Sequence, residues 1–370
     1  MSCNSKNEQI KRRYEAYLRH SKGLAEASLK VARRALATYD RFSNHADYKQ
    51  FNEQKAIAFK EYLEQQKLAK TTHANCLKQM KQFFEWLSLQ AGYKSRITRV
   101  AVDYLNLSRK EKQLLKTGGS VHMPSLADVK SLVESIPPNT EVNLRDRALI
   151  SFLCLTGMRD SAVATLPLKS FDTNSLMVDQ DPANGVKTKF TKHIWSKMFR
   201  FDNDLVQNVL SWVELLRRKG FTGRDPLFPR SKVYKEDGNL SFQEAVEVEA
   251  EFWTDGTNVQ RIIKKRSEEG NLEYFHPHTY RHLAIQLAFQ KAKCGADIKA
   301  ISQNFGHEEV ATTLSVYGNY QVSELIARLQ EIDAYEEIKP KEETLSEEKI
   351  QQMLQEALPS VLAKMLQKGL

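Results

Sequence analysis

Seven residues, "HPHTYRH" (His276 to His282), place three histidines and an arginine ahead of an apolar run. Side chains of those types can cage a metal, fill a crowded core, or close around a phosphate. A zinc cage needs a fourth ligand at workable spacing, and the chain offers none nearby. Two other stretches bear on the choice. "LTGMRDSAV" puts Arg159 just after a helix-ending glycine, and "QNFGHEEVATTLSVYGNY" puts His307 after Gly306 with Tyr317 ten residues on. Taken singly, Arg159 reads as a surface arginine, His307 as a helix cap and Tyr317 as a half-buried tyrosine. Taken together, two arginines offer planar forks that suit a tetrahedral oxyanion better than lysine does.

The elements that must position these residues can be read from periodicity and caps. "SLKVARRALATYDRF", "EQKAIAFKEYLEQQK" and "HANCLKQMKQFFEWLSLQ" carry apolar residues three and four apart, so the first third is expected to be helical. "SRKE" at Ser108 fits a capping box opening a further short helix. "KTGGSVHMP" (Lys116 to Pro124) breaks every pattern, and a domain boundary is expected there. Ser125 with Asp128 caps a new helix, "LRDRALISFLCLTG" is an apolar helix stopped by Gly157, and "DNDLVQNVLSWVELLRRKG" has an Asp cap and a Gly stop. Between them, "SLMVDQ" and "HIWSKMFRF" read as strands flanking the turn-rich "DPANGVKTKFTK". On a strand, alternation would put Lys187 and Lys189 on one face. After "EEIKPKEETLSEEK", a last segment with apolar pairs from 350 to 366 must bury against its own domain or a neighbouring protomer; Pro359 kinks or divides it.

Composition narrows the classes. A chain of 370 residues suggests two domains. No apolar stretch is long enough to span a membrane, and the polar N-terminus lacks a signal-peptide core, so a cytosolic protein is expected. Cys3, Cys76, Cys154 and Cys294 are scattered and read as reduced, mostly buried thiols. The formal charge of +9 is unevenly spread. Met1 to Ser120 holds 24 Lys and Arg against 11 Asp and Glu, a net +13, and the remainder sums to −4. That asymmetry suits an electrostatic clamp for a polyanion.

The order of these pieces, Arg, then a hairpin lysine, then H-x-x-R, then G-H, then Tyr, resembles the tyrosine recombinases, the phage integrase family, over about Ser125 to Leu329. The resemblance implies a mainly α fold with a small antiparallel β-sheet in the catalytic domain, arranged as a two-domain clamp. Residues 1–115 would be the helical, SAM-like core-binding domain, 116–124 a linker, 125–335 the catalytic domain, and 336–370 a tail whose helix docks on its own domain or on a neighbour. It implies a site-specific DNA recombinase working through a 3′-phosphotyrosyl intermediate without metal, ATP or other cofactor. Such an enzyme would act as a homo-tetramer on two double-stranded DNA duplexes, in integration, excision or transposition of a mobile element, associated with the nucleoid when bound. Alternatives are a type IB topoisomerase-like relaxase and a non-catalytic DNA-binding accessory protein on the same fold.

By resemblance, Tyr317 is the nucleophile, Arg159 and Arg281 hold the scissile phosphate, His278 is the general base, His307 bonds a non-bridging oxygen, and a lysine protonates the leaving 5′-oxygen. Lys189 in "VKTKFTK" is the candidate lysine, with Lys187 as runner-up. The chain departs from the family in two places. Ala162 stands where many members carry an acid, with Asp160 as a possible substitute. The His307–Tyr317 gap is one residue longer than in many relatives, which leaves Tyr320 as a rival nucleophile.

Overall fold

A computed structural model describes residues 4–116, 122–232 and 246–307. The chain divides into two compact units, Met1–Ser120 and Val121–Leu370. Among the described residues no helix is long and apolar enough to cross a membrane.

The first unit is helical: α1 (Ser5–Ala16), α2 (Glu26–Phe42), α3 (Glu53–Gln65), α4 (Lys70–Leu87), α5 (Arg99–Asp103) and α6 (Arg109–Lys116). Its core is aromatic. Tyr14, Tyr39, Tyr48, Phe51, Phe59, Phe83 and Phe84 are all buried, and the Phe51 and Phe84 rings stack 3.7 Å apart. Asp40 is a buried carboxylate within it, held by Lys11 Nζ and the Tyr48 hydroxyl, each at 2.7 Å. Ser108 opens α6 as its sequence suggests: its backbone N–H donates to Glu111, and the Glu111 N–H to the Ser108 hydroxyl. The sequence patterns did not mark α1. It is polar overall, and only Asn7, Ile10 and Tyr14 are buried.

The second unit is mainly α with small antiparallel sheets. Its elements are α7 (Leu126–Ser135), α8 (Glu141–Thr156), α9 (Asp160–Ala164), β1 (Phe171–Asp172), β2 (Met177–Gln180), β3 (Ile194–Lys197), α10 (Asn203–Arg218), β4 (Arg230–Ser231), β5 (Val248–Glu249), α11 (Thr257–Glu269), α12 (Pro277–Phe289) and α13 (Gly295–Asn304). The first sheet has the order β1-β2-β3, with Val178 opposite Ser196 and Gln180 opposite Ile194. Helix α8 is the axis of this unit, its residues Ala148 to Leu155 fully buried beneath α7, α10 and α12. The Ser125–Asp128 capping box, the Asp202 cap of α10 and the left-handed Gly157 that ends α8 are all present.

Two expectations need correction. The segment around Lys187 and Lys189 is not a strand; Lys189–Thr191 forms a 3₁₀ turn with Phe190 left-handed, so strand alternation does not relate the two lysines. Cys294 is exposed at the start of α13, whereas Cys154 is buried and Cys76 intermediate.

Candidate active site

Helix α12 begins with His276, whose ring nitrogen accepts from the His278 N–H at 3.2 Å, and with Pro277 in its first turn. That role accounts for His276 without a metal. Helical spacing then sets His278 and Arg281 one turn apart on the same face. His282 follows one turn after His278, their rings edge-to-face at 4.8 Å. Tyr280 points the other way and is 1% exposed, a core residue. Among the described residues no three His, Cys, Asp or Glu side chains gather where they could hold a metal.

Arg281 is 4% exposed, and a buried guanidinium must be satisfied. Its Nη1 donates to the Gly157 carbonyl at 2.9 Å; its Nη2 donates to the Phe305 carbonyl and meets His307 Nε2 at 3.0 Å. At least three of its five donors are thus held by protein groups. The Phe305 ring lies 5.4 Å from the guanidinium carbon. Because arginine only donates, His307 Nε2 is the acceptor in this contact, which places the imidazole proton on Nδ1.

Glycines make this convergence possible. Gly157 (φ 57°) accepts Arg281, and a Cβ there would lie 2.5 Å from the Phe305 ring. At the end of α13, His307 N–H returns to the Ser302 carbonyl and Gly306 N–H to that of Gln303, the two bonds of a Schellman turn. Gly306 (φ 65°) therefore aims His307 back at α12, and a Cβ on it would meet Ile194 of β3 at 2.6 Å. The "GH" pair is this turn.

Arg159 follows Gly157 by two residues, in extended conformation at the N-cap of α9 (φ −72°, ψ 143°). It is half-buried, and its guanidinium makes no hydrogen bond or ion pair with another described residue. Burial lowers its pKa from the usual value. Its neighbour Asp160 holds α9 in place: it accepts from its own helix at Ser161 N–H (2.7 Å) and from Gln260 Nε2 of α11 (2.9 Å). Gly256 lies so close to Asp160 that a Cβ would approach Cγ to 2.5 Å. Ala162 is buried.

His278 and His307 are both depressed to about 4. Burial is the largest cause in each, and the charges of both Arg281 and Arg159 add to it. Both histidines are neutral at pH 7, and both sense both arginines. The four residues therefore share one electrostatic neighbourhood.

The lysines are placed differently. Lys187 is tied to α9, its N–H donating to Thr165 Oγ1 at 2.8 Å and its carbonyl accepting from Ser161 Oγ at 3.4 Å, and its Nζ donates to the Thr254 carbonyl at 2.6 Å. Lys189 is exposed, with Nζ 5.0 Å from the centroid of the Phe190 ring. Tyr317, Tyr320 and the C-terminal tail lie outside the described residues. The carbonyl anchors of Arg281 and the Asp160–Gln260 tie escaped the sequence reading; for the first, the only signal was a glycine or phenylalanine beside each motif.

The family described as the phage integrase family matches residues 126–324, more than half of the chain. The chain belongs to the phage integrase family. It is a tyrosine recombinase, one of a family of DNA strand-exchange enzymes. A probable integrase/recombinase of Aquifex aeolicus (strain VF5) is 22% identical over 73% of this recombinase and 84% of the relative. Tyrosine recombinase XerD of Shewanella oneidensis is 23% identical over 84% and 91%. Among solved structures, the Tn1549 transposon integrase in complex with transposon right-end DNA aligns with a TM-score of 0.58 at 14% identity, covering 88% of this recombinase and 99% of that chain. A lambda integrase dimer bound to a COC′ core site aligns at 0.58 and 11% identity, covering 85% and 97%. At these identities the structural likeness shows a shared fold.

Proposed function

We propose that this recombinase cuts and rejoins duplex DNA at defined sites through a 3′-phosphotyrosyl intermediate. The observation that carries the reading is the buried Arg281, locked against His307 in the same field as Arg159 and His278. A phosphodiester repels nucleophiles with its own charge, and two guanidiniums offset that charge and the extra charge of the pentavalent transition state. Comparable arginine contacts are worth roughly 10³- to 10⁵-fold in phosphoryl transfer.

In the proposed step the Tyr317 phenol oxygen attacks phosphorus and its proton passes to His278. The 5′-oxygen leaves and takes a proton from Lys189, and His307 bonds a non-bridging oxygen. Burial and the arginines keep His278 unprotonated and ready to accept, and a bound phosphate offsets those positive charges and raises its basicity. The phosphotyrosyl bond stores the energy of the broken linkage, so an incoming 5′-hydroxyl reverses the step without ATP, and the arginines supply the charge a metal would. Two structural neighbours, one in complex with transposon end DNA and one bound to a core site, support duplex DNA as substrate. The basic first unit would supply phosphate contacts. Recombination between two duplexes calls for four protomers, acting on the nucleoid in the cytoplasm.

The test is a pool of nicked duplexes of randomised sequence, in which cleavage traps the covalent complex. Wild type should stay attached to DNA 3′ ends after denaturation, and Tyr317→Phe should bind without attaching. Attachment that survives in Tyr317→Phe and vanishes in Tyr320→Phe would move the nucleophile. Lys187 is the second reading for the general acid, favoured by its hydrogen bonds to α9. A 5′-bridging sulfur leaves without a proton, so it should rescue whichever of Lys189→Ala and Lys187→Ala removes the acid.

A further inference from the structure

The connection between β2 and β3 holds an aromatic ring out in water. Phe190 is 73% exposed and its backbone is left-handed (φ 60°, ψ 27°). Thr191 follows at φ 52°. That region disfavours residues with a Cβ, branched ones most of all, so two in succession persist only where the surroundings impose them. Here Thr188 Oγ1 donates to the Lys192 carbonyl at 2.6 Å and the Thr191 N–H to the Thr188 carbonyl at 3.3 Å, pinching the loop at the base of the ring. Lys189 Nζ lies 5.0 Å from the ring centroid. On β3, Trp195 is 56% exposed, its ring 5.5 Å from that of His193, which is bonded to Asp179 at 2.5 Å. Rings and cations are thus interleaved along this arm: Lys189, Phe190, Lys192, His193, Trp195.

We propose that Phe190 is a stacking platform for a nucleobase displaced from the duplex, with Lys189 and Lys192 against the adjoining phosphates. The inference rests on the reading of the chain as an enzyme of duplex DNA, and it names a contact that the strand-transfer chemistry does not require. Every base has a π-face, and an exposed ring flanked by ammonium groups matches a base flanked by phosphates. A protein partner would favour a continuous apolar patch, and here lysines separate the rings. A base within an intact helix has both faces covered, so the platform should favour DNA in which one base is already unstacked.

The probe is a mixed-sequence duplex with a single 2-aminopurine bulge, compared with the same duplex unbulged. Asparagine is at ease in the left-handed region, so Phe190→Asn should melt at the same or a higher temperature than wild type. It should nevertheless bind the bulged duplex about 5- to 100-fold more weakly. The slope of log affinity against log salt should stay unchanged, because no phosphate contact is lost. Phe190→Trp should keep both the affinity and the 2-aminopurine quenching. Wild-type affinity in Phe190→Asn would overturn the proposal, and so would a fall in melting temperature that accompanies the loss of binding. A change in self-association with DNA affinity intact would instead assign the ring to a protein partner. Wild-type attachment to the nicked pool is scored separately, so this inference can fail while the strand-transfer reading stands.

Discussion

Two regions of the site present arginine in opposite ways. At α12, Arg281 is almost wholly enclosed and bonded to carbonyls from two distant segments. At the start of α9, Arg159 is half-buried and bonded to no described side chain or carbonyl; what is held there is the helix beneath it, through Asp160 and Gln260. One guanidinium is part of the fold, and the other is presented by it. The physical reason is desolvation: a fully enclosed charge must be bonded on several sides, whereas a partly solvated one can wait for its anion.

The largest expected effect tests that division directly. Arg281→Ala and Arg159→Ala should each reduce covalent attachment by about 10³-fold or more, but only Arg281→Ala should also lower stability. It strands the buried carbonyls of Gly157 and Phe305, at about 1–3 kcal/mol each. Arg159→Ala should unfold within about 0.5 kcal/mol of wild type in denaturant titration. Equal stability losses in the two variants would abolish the comparison.

Gly157→Ala comes next. A methyl group would press on the Phe305 ring and Ala284 Cβ, at 2.5 and 3.0 Å, on a left-handed backbone. A loss of about 1–3 kcal/mol is expected, and calorimetry that finds the variant as stable as wild type would contradict the packing described. Gln260→Ala is smaller, about 0.5–1.5 kcal/mol. Since it loosens the seat of Arg159, attachment rate should fall further than stability does; Gln260→Glu, which sets a second carboxylate against Asp160, should not restore it.

The smallest effect is in titration. Without DNA, His278 and His307 should show NMR midpoints well below 6.5, near 4, with His307 protonated at Nδ1. His278 is an exposed residue despite its desolvated ring, and solvent there screens part of its shift. Their folded pKa values lie below the unfolded one, so the unfolded chain binds more protons between pH 6.5 and 4. Stability from this source is complete above pH 6.5 and declines as pH falls through that window. Midpoints at 6.5 would mean that neither the burial nor the two arginine charges act on them as described. In Arg159→Ala both midpoints should rise slightly.

Much of this site was legible because caps and helical spacing are local. His278 and Arg281 share a face by arithmetic, Gly157 announces the end of α8, and Gly306 announces the turn that carries His307. Ser125 with Asp128 and Ser108 with Glu111 behave as their spacing dictates. What stayed hidden depends on partners far along the chain. Gln260 has no mark that pairs it with Asp160, one hundred residues earlier. Phe190 and Thr191 carry none of the glycine that usually signals a left-handed turn, so the turn-rich stretch gives no sign that these two residues are where the backbone turns left-handed. Helix α1 has too few apolar residues for its stripe to stand out.

The grip on Arg281 joins chain positions 124 and 24 residues away from it. During synthesis, helix α12 leaves the ribosome before Phe305, one of its two carbonyl anchors, has emerged. Until Phe305 emerges and α13 docks, the arginine lacks that acceptor, so the buried arginine of the nascent chain is only half satisfied.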